Sequence, residues 1–106
     1  MTQVLRHVVM FGFNEGVSAG DLAEVARRFG ALRDQIPGIL AFEWGENVSP
    51  EGLSDGLSHC FFMTFESEAA RDAYLPHPTH QAFVAWIGAF VAKAVVVDYW
   101  AEAESA

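Results

Sequence analysis

A chain of 106 residues with a formal net charge of −8, 52% hydrophobic and 19% charged, has room for one compact domain that buries about two-thirds of its unfolded surface. Its six Lys and Arg are scattered and outnumbered by fourteen Asp and Glu, which speaks against phosphate-backbone binding and so against nucleic acid as a partner. The single cysteine, Cys60, excludes an internal disulfide and CxxC metal sites. No apolar run approaches the ~20 residues of a membrane helix, and Met1-Thr2-Gln3 leads into an alternating strand without a signal-peptide pattern. A cytoplasmic protein with no membrane partner is therefore expected, its acidic surface serving solubility.

From about Gln3 to Phe13 the chain alternates, with Leu5, His7, Val9, Phe11 and Phe13 on one face and Val4, Arg6, Val8 and Met10 on the other. Asn14-Glu15-Gly16 reads as a turn, and Ser18 three residues before Asp21 resembles a capping box. The helix that follows runs to about Gln35, with Leu22, Val25, Ala26, Phe29, Leu32 and Ile36 on its buried stripe and Pro37-Gly38 as its stop. A second strand is predicted over 39–48, a turn-rich loop over 49–56 and a third strand over 57–66, where Phe61, Phe62 and Phe65 occupy both faces of the pleat. Cys60 falls inside this strand and reads as a buried, inert thiol. Ser67 caps a short helix to about Leu75, a second helix spans about 78–92, and Val95-Val96-Val97-Asp98-Tyr99-Trp100 closes the fold as a β-branched strand ahead of a frayed tail at 102–106.

The order β-α-β-β-α-α-β describes an α+β fold of ferredoxin-like, split βαβ type, with an antiparallel sheet and helices on one face. The strands carry apolar residues on the uncovered face as well, and a soluble protein must cover such a face. A homodimer packing sheet against sheet into a barrel is the expected solution.

The chemistry concentrates in Tyr74-Leu75-Pro76-His77-Pro78-Thr79-His80. Pro78 suits the first turn of a helix, and His77 before it is pushed out of the helical region, so His77 reads as a helix-start residue. On that helix His80, Phe83, Val84, Ile87 and Val91 share one apolar face, which points the His80 imidazole at the core. A buried imidazole stays neutral and can take a proton, Tyr74 on the preceding helix can donate to it or orient it, and His7 shares the strand face turned toward the helices. Spacing alone is better served by a hydrogen-bonded trio that only fixes helix–sheet packing. His59 reads as structural, and Trp44, Trp86 and Trp100 as core or interface aromatics.

Leu5-Arg6-His7-Val8-Val9-Met10-Phe11, Ile36-Pro37-Gly38, the run from Ser58 to Ser67 and the Tyr-x-x-His-Pro-x-His motif at 74–80 resemble the stress-responsive α/β-barrel (Dabb) domain family over nearly the whole chain. That resemblance implies a dimeric α+β barrel. A plant member of the family cyclises a linear polyketide by aldol-type chemistry without a cofactor; matched residue by residue, its catalytic pair falls on Tyr74 and His80 and its strand histidine on His7. The pocket so implied is lined by Phe29, Val9, Phe11, Phe83, Val84 and Ile87, with Phe29 standing where that member carries a tyrosine.

No Gly-rich phosphate loop, Gly-x-Ser-x-Gly elbow or Cys–His dyad is present, so no cofactor and no metal are assigned. Three functions stay open. The first is a homodimer binding a small hydrophobic, carbonyl-bearing metabolite, with cofactor-free proton transfer of the aldol cyclase or isomerase type. The second is a non-catalytic stress-response or ligand-carrier module. The third, by fold analogy alone, is a cofactor-independent monooxygenase.

Overall fold

The computed structural model describes residues 2–103. The elements are β1 (Thr2–Phe13), α1 (Ala19–Gln35), β2 (Ile39–Glu46), β3 (His59–Phe65), α2 (Glu68–Tyr74), α3 (Pro78–Ile87) and β4 (Val91–Ala103). The four strands form one antiparallel sheet in the order β2-β3-β1-β4, the ferredoxin-like arrangement that the element order predicts.

Local chemistry sets the boundaries. Ser18 accepts from the Asp21 amide while the Asp21 carboxylate accepts from the Ser18 amide, a complete capping box that starts α1. The turn after α1 needs Gly38, whose φ is +93° and where an added Cβ would lie 2.6 Å from that of Ala70. α2 can therefore sit directly on this turn.

β2 and β3 are each shorter than the sequence reading, by two and three residues, and the larger departures are at the end of α3 and in β4. α3 stops at Ile87, not near Ala92, because Gly88 lowers helix propensity and the Val-rich run beyond it gains more by pairing with β1, from Phe13↔Val91 to Thr2↔Ala103. Val91 accordingly leaves the helix face assigned to it and becomes the first residue of β4. The same pairing draws Glu102 and Ala103 into the strand, whereas residues 104–106 of the expected tail lie outside the described residues.

Register decides which residues meet. Leu5, His7, Val9 and Phe11 stand opposite Phe65, Met63, Phe61 and His59 of β3, and opposite Trp100, Asp98, Val96 and Ala94 of β4, so all twelve share the face that carries the helices. The core lies there: Val25, Phe29 and Leu32 of α1 pack with Phe61, Met63 and Phe65 of β3, and Phe29 stacks on Phe61 at 4.8 Å. Each aromatic ring buried this way contributes roughly 2–3 kcal/mol of transfer free energy. On the opposite face Val97 and Tyr99 remain 49% and 45% exposed, while Val8, Met10, Cys60 and Phe62 are half-buried. The apolar, uncovered sheet face expected from the strand patterning is therefore present.

Candidate functional site

The break between α2 and α3 builds one end of the site. Pro78 occupies the first turn of α3, and His77 caps it by accepting the Thr79 amide on Nδ1 at 3.1 Å. In a continuous helix that amide would go to the Leu75 carbonyl; here the carbonyl is left free. It accepts instead from Nδ1 of His80 at 2.9 Å and from Nε2 of Gln81 at 2.8 Å. A carbonyl only accepts, so the proton of neutral His80 resides on Nδ1 and the lone pair on Nε2.

Tyr74, the last residue of α2, is wholly buried, with its ring 4.2 Å from that of His80. Its hydroxyl has no hydrogen-bond partner among the described residues. The expected Tyr74–His80 hydrogen bond is thus replaced by ring contact: the Leu75 carbonyl fixes the imidazole through Nδ1 in an orientation from which Nε2 does not reach the hydroxyl. Burial pushes the Tyr74 phenol well above its usual range, leaving it a permanent donor in need of an acceptor. Burial also lowers the pKa of His80, against the opposing effect of the Leu75 hydrogen bond and with help from the nearby His7 and His77.

His7 enters from β1. Its ring meets Tyr74 edge-on at 5.9 Å and Phe65 at 5.8 Å, and its Nδ1 lies 2.6 Å from Oδ1 of Asp98. Asp98 in turn accepts from Nη1 of Arg71 on α2 at 2.8 Å through Oδ2. Neither Asp98 nor Arg71 was singled out from sequence. The available signal was Asp98 itself, an acid at an inward-facing register position of a Val-rich strand.

His7, Tyr74 and His80 border one cavity of about 380 Å³ between α3, α1 and the β1–β4 half of the sheet. Val9, Phe11, Phe29, Phe83, Val84 and Ile87 line the same cavity, so the structure brings all nine sequence-derived site residues together. That volume is within the range of small-molecule sites. The wall combines apolar side chains with two imidazoles and a phenol and holds no Lys, Arg, Asp or Glu. Chemically it can accept a proton at Nε2 of His80 and donate a hydrogen bond from Tyr74. Among the described residues no cluster of three or more His, Cys, Asp or Glu is placed to hold a metal ion.

The remaining sequence candidates lie elsewhere. His59 is buried at the far end of the sheet, its ring parallel to that of Trp44 at 6.1 Å and edge-on to Phe13 at 5.0 Å. Trp86 carries the Arg28 guanidinium 4.2 Å above its ring, and Trp44 and Trp100 remain nearly half exposed. Cys60 is half-buried rather than fully buried, and burial pushes its thiol up.

Known proteins resemble the chain in sequence and fold. The chain is 36% identical to the stress-response A/B barrel domain-containing protein HS1 of Arabidopsis thaliana, over 90% of this chain and 87% of that one. It is 25% identical to olivetolic acid cyclase of Cannabis sativa, over 90% and 94%. Among solved structures, At3g17210 of Arabidopsis thaliana superposes with a TM-score of 0.89 at 34% identity, covering 96% of this chain and 99% of that one. A hydroxynitrile lyase from Passiflora edulis shares the fold, with a TM-score of 0.87 at 23% identity over 97% of both chains. A protein from Jannaschia sp., described as dimeric and ferredoxin-like, matches with a TM-score of 0.79 at 30% identity over 91% and 97%. With residues 5–101 matched by the family model, the chain belongs to the Dabb family, the stress responsive A/B barrel domain.

Proposed function

We propose that this protein is a homodimer whose cavity binds a small, hydrophobic, carbonyl-bearing metabolite and supports cofactor-free proton transfer on it, as in an aldol-type cyclase or an isomerase. The observation that carries this reading is the buried Tyr74 hydroxyl without a partner, beside an imidazole whose Nδ1 is already committed. An unpaired buried hydroxyl costs about 1–3 kcal/mol, and a ligand carbonyl supplies the acceptor that the protein withholds. In the proposed step, Nε2 of His80 removes a proton from the carbon next to the carbonyl. The C–H electron pair forms the enolate, whose oxygen accepts from Tyr74, and His80 then returns the proton to the product. His7 holds a second polar group of the ligand, and Phe29, Val9, Phe11, Phe83, Val84 and Ile87 bury its apolar part. The catalytic activities named for the cyclase from Cannabis and the lyase from Passiflora lend this chemistry precedent within the same fold.

A histidine NMR titration with a panel of phenolic and β-keto compounds tests it. The His80 signal is expected to move with one ligand class, and His80→Ala is expected to reduce turnover of a substrate from that class about 10²–10⁴-fold, the usual contribution of a general base. A His80 signal indifferent to every compound, or full activity in the variant, leaves the non-catalytic module as the better reading.

The dimer is proposed to form through the open sheet face. Its support is the exposure of Val97 and Tyr99 there and the dimeric description of the relative from Jannaschia. Val97→Glu places a charge in that face and is expected to give a monomer by light scattering; a dimer that survives it must use another surface.

A further inference from the structure

The proton-transfer chemistry above makes no use of Arg71 and Asp98, yet the structure ties both to the cavity. Asp98 is fixed opposite His7 by strand register, and its two oxygens are divided: Oδ1 takes His7 Nδ1 at 2.6 Å and Oδ2 takes Arg71 Nη1 at 2.8 Å. Arg71 is anchored in turn, its Nε donating to Asp72 at 2.9 Å with Glu68 3.8 Å away. The Arg71 and Asp98 side chains are only 20% and 22% exposed, so water competes weakly for these bonds. Asp98 first, then Asp72, raises the pKa of the Arg71 guanidinium.

A carboxylate only accepts, so His7 must carry a proton on Nδ1, and in its neutral form Nε2 is a bare acceptor. No hydrogen bond among the described residues reaches His7 Nε2, although His7 is 96% buried and lines the cavity. With its second oxygen held by Arg71, the carboxylate cannot rotate away and release the ring. His80 presents a second bare Nε2, because the Leu75 carbonyl fixes its tautomer in the same manner.

We infer that Arg71 and Asp98 are positioning residues that hold His7 as a hydrogen-bond acceptor, and that the ligand is a carbonyl compound bearing a hydroxyl or enol group that donates to it. This deepens the reading of the cavity given above and rests on it. One end of the cavity then offers a donor, Tyr74, for the carbonyl, and an acceptor, His7, for the hydroxyl. The absence of a cationic side chain from the wall favours the neutral form of such a compound over its anion.

Two probes that differ by one hydroxyl test the inference: acetophenone and 4-hydroxyacetophenone. In the wild-type protein the hydroxylated probe is expected to bind about tenfold more tightly, the value of one good hydrogen bond of roughly 1.4 kcal/mol. Long-range ¹⁵N NMR is expected to show His7 as the Nδ1–H tautomer. In Asp98→Asn and Arg71→Met the advantage of the hydroxylated probe is expected to shrink to about threefold or less while acetophenone binds as before, with Arg71→Lys restoring most of it. Loss of both probes in equal proportion is the mark of a merely structural role and overturns the inference, as does an unchanged His7 tautomer in Asp98→Asn. If the wild-type protein binds neither probe, the cavity reading itself fails and takes this inference with it; that outcome is distinct because it appears before any substitution is made.

Discussion

Two histidines lie buried on the same face of the same sheet, and their surroundings are opposite. His7, 4% exposed, gives Nδ1 to an aspartate backed by an arginine and borders a cavity. His59, 8% exposed, has Nδ1 2.8 Å from the hydroxyl of the adjacent Ser58 and its ring between Trp44 and Phe13. Its Nε2 is shielded without a partner, with the exposed Glu46 carboxylate 3.9 Å away. Burial of a histidine therefore says little about function. His59 also borders cavities, of about 350 and 270 Å³, so what separates the two is whether a polar network drawn from several elements orients the ring. His7 draws on β4 and α2, whereas His59 relies on its own neighbour in the chain.

The contrast implies that the His59 end is held by packing and the His7 end by polar groups, and substitutions should part along that line. The largest effect is expected from Phe61→Ala, which removes a ring in contact with Phe29, Phe11 and Trp44 and should cost about 3–5 kcal/mol in urea unfolding. A loss below about 1 kcal/mol would mean that this end is not the packed one.

Tyr74→Phe is expected to act in the opposite sense. It deletes an unpaired hydroxyl while keeping the ring, so stability should hold or rise by about 1–2 kcal/mol even as carbonyl binding weakens. If the variant unfolds more easily than the parent, the hydroxyl is satisfied in solution and the cavity loses its donor.

The smallest effect is pH dependence. The folded pKa of His80 is lowered from the ordinary 6.5, so as pH falls the unfolded chain takes up this proton first. Stability is expected to decline as pH drops below about 6.5 and to level off once pH is under the folded value, at less than ~1.4 kcal/mol per pH unit. His80→Gln should remove this slope. A slope that survives His80→Gln belongs to another group.

Much of this was legible in the one-dimensional pattern. The alternation of β1, the capping box at Ser18, the turn at Pro37-Gly38 and the proline-bounded start of α3 are local signals that act within a few residues. Of the residues lining the cavity, seven were legible because spacing assigns faces: His80, Phe83, Val84 and Ile87 share a helical stripe, and His7, Val9 and Phe11 share a strand face, whereas the roles given to Tyr74, His80 and His7 rested on the family resemblance. The end of α3 was not, since Val91 continues the helical spacing and only pairing with Phe13 pulls it into β4.

The sequence by itself determined the elements, their order and the faces they bury, because propensity, capping and periodicity are properties of neighbouring residues. Tertiary structure alone decided which polar atoms meet. Asp98 stands 91 residues from His7 and 27 from Arg71, and only antiparallel register and the seating of α2 on the sheet bring the three together. The state of Tyr74 was decided in the same way. No pattern announces a hydroxyl left unpaired; that follows from the Leu75 carbonyl, freed by the break between two helices, orienting the His80 ring through Nδ1 so that Nε2 does not reach the tyrosine hydroxyl.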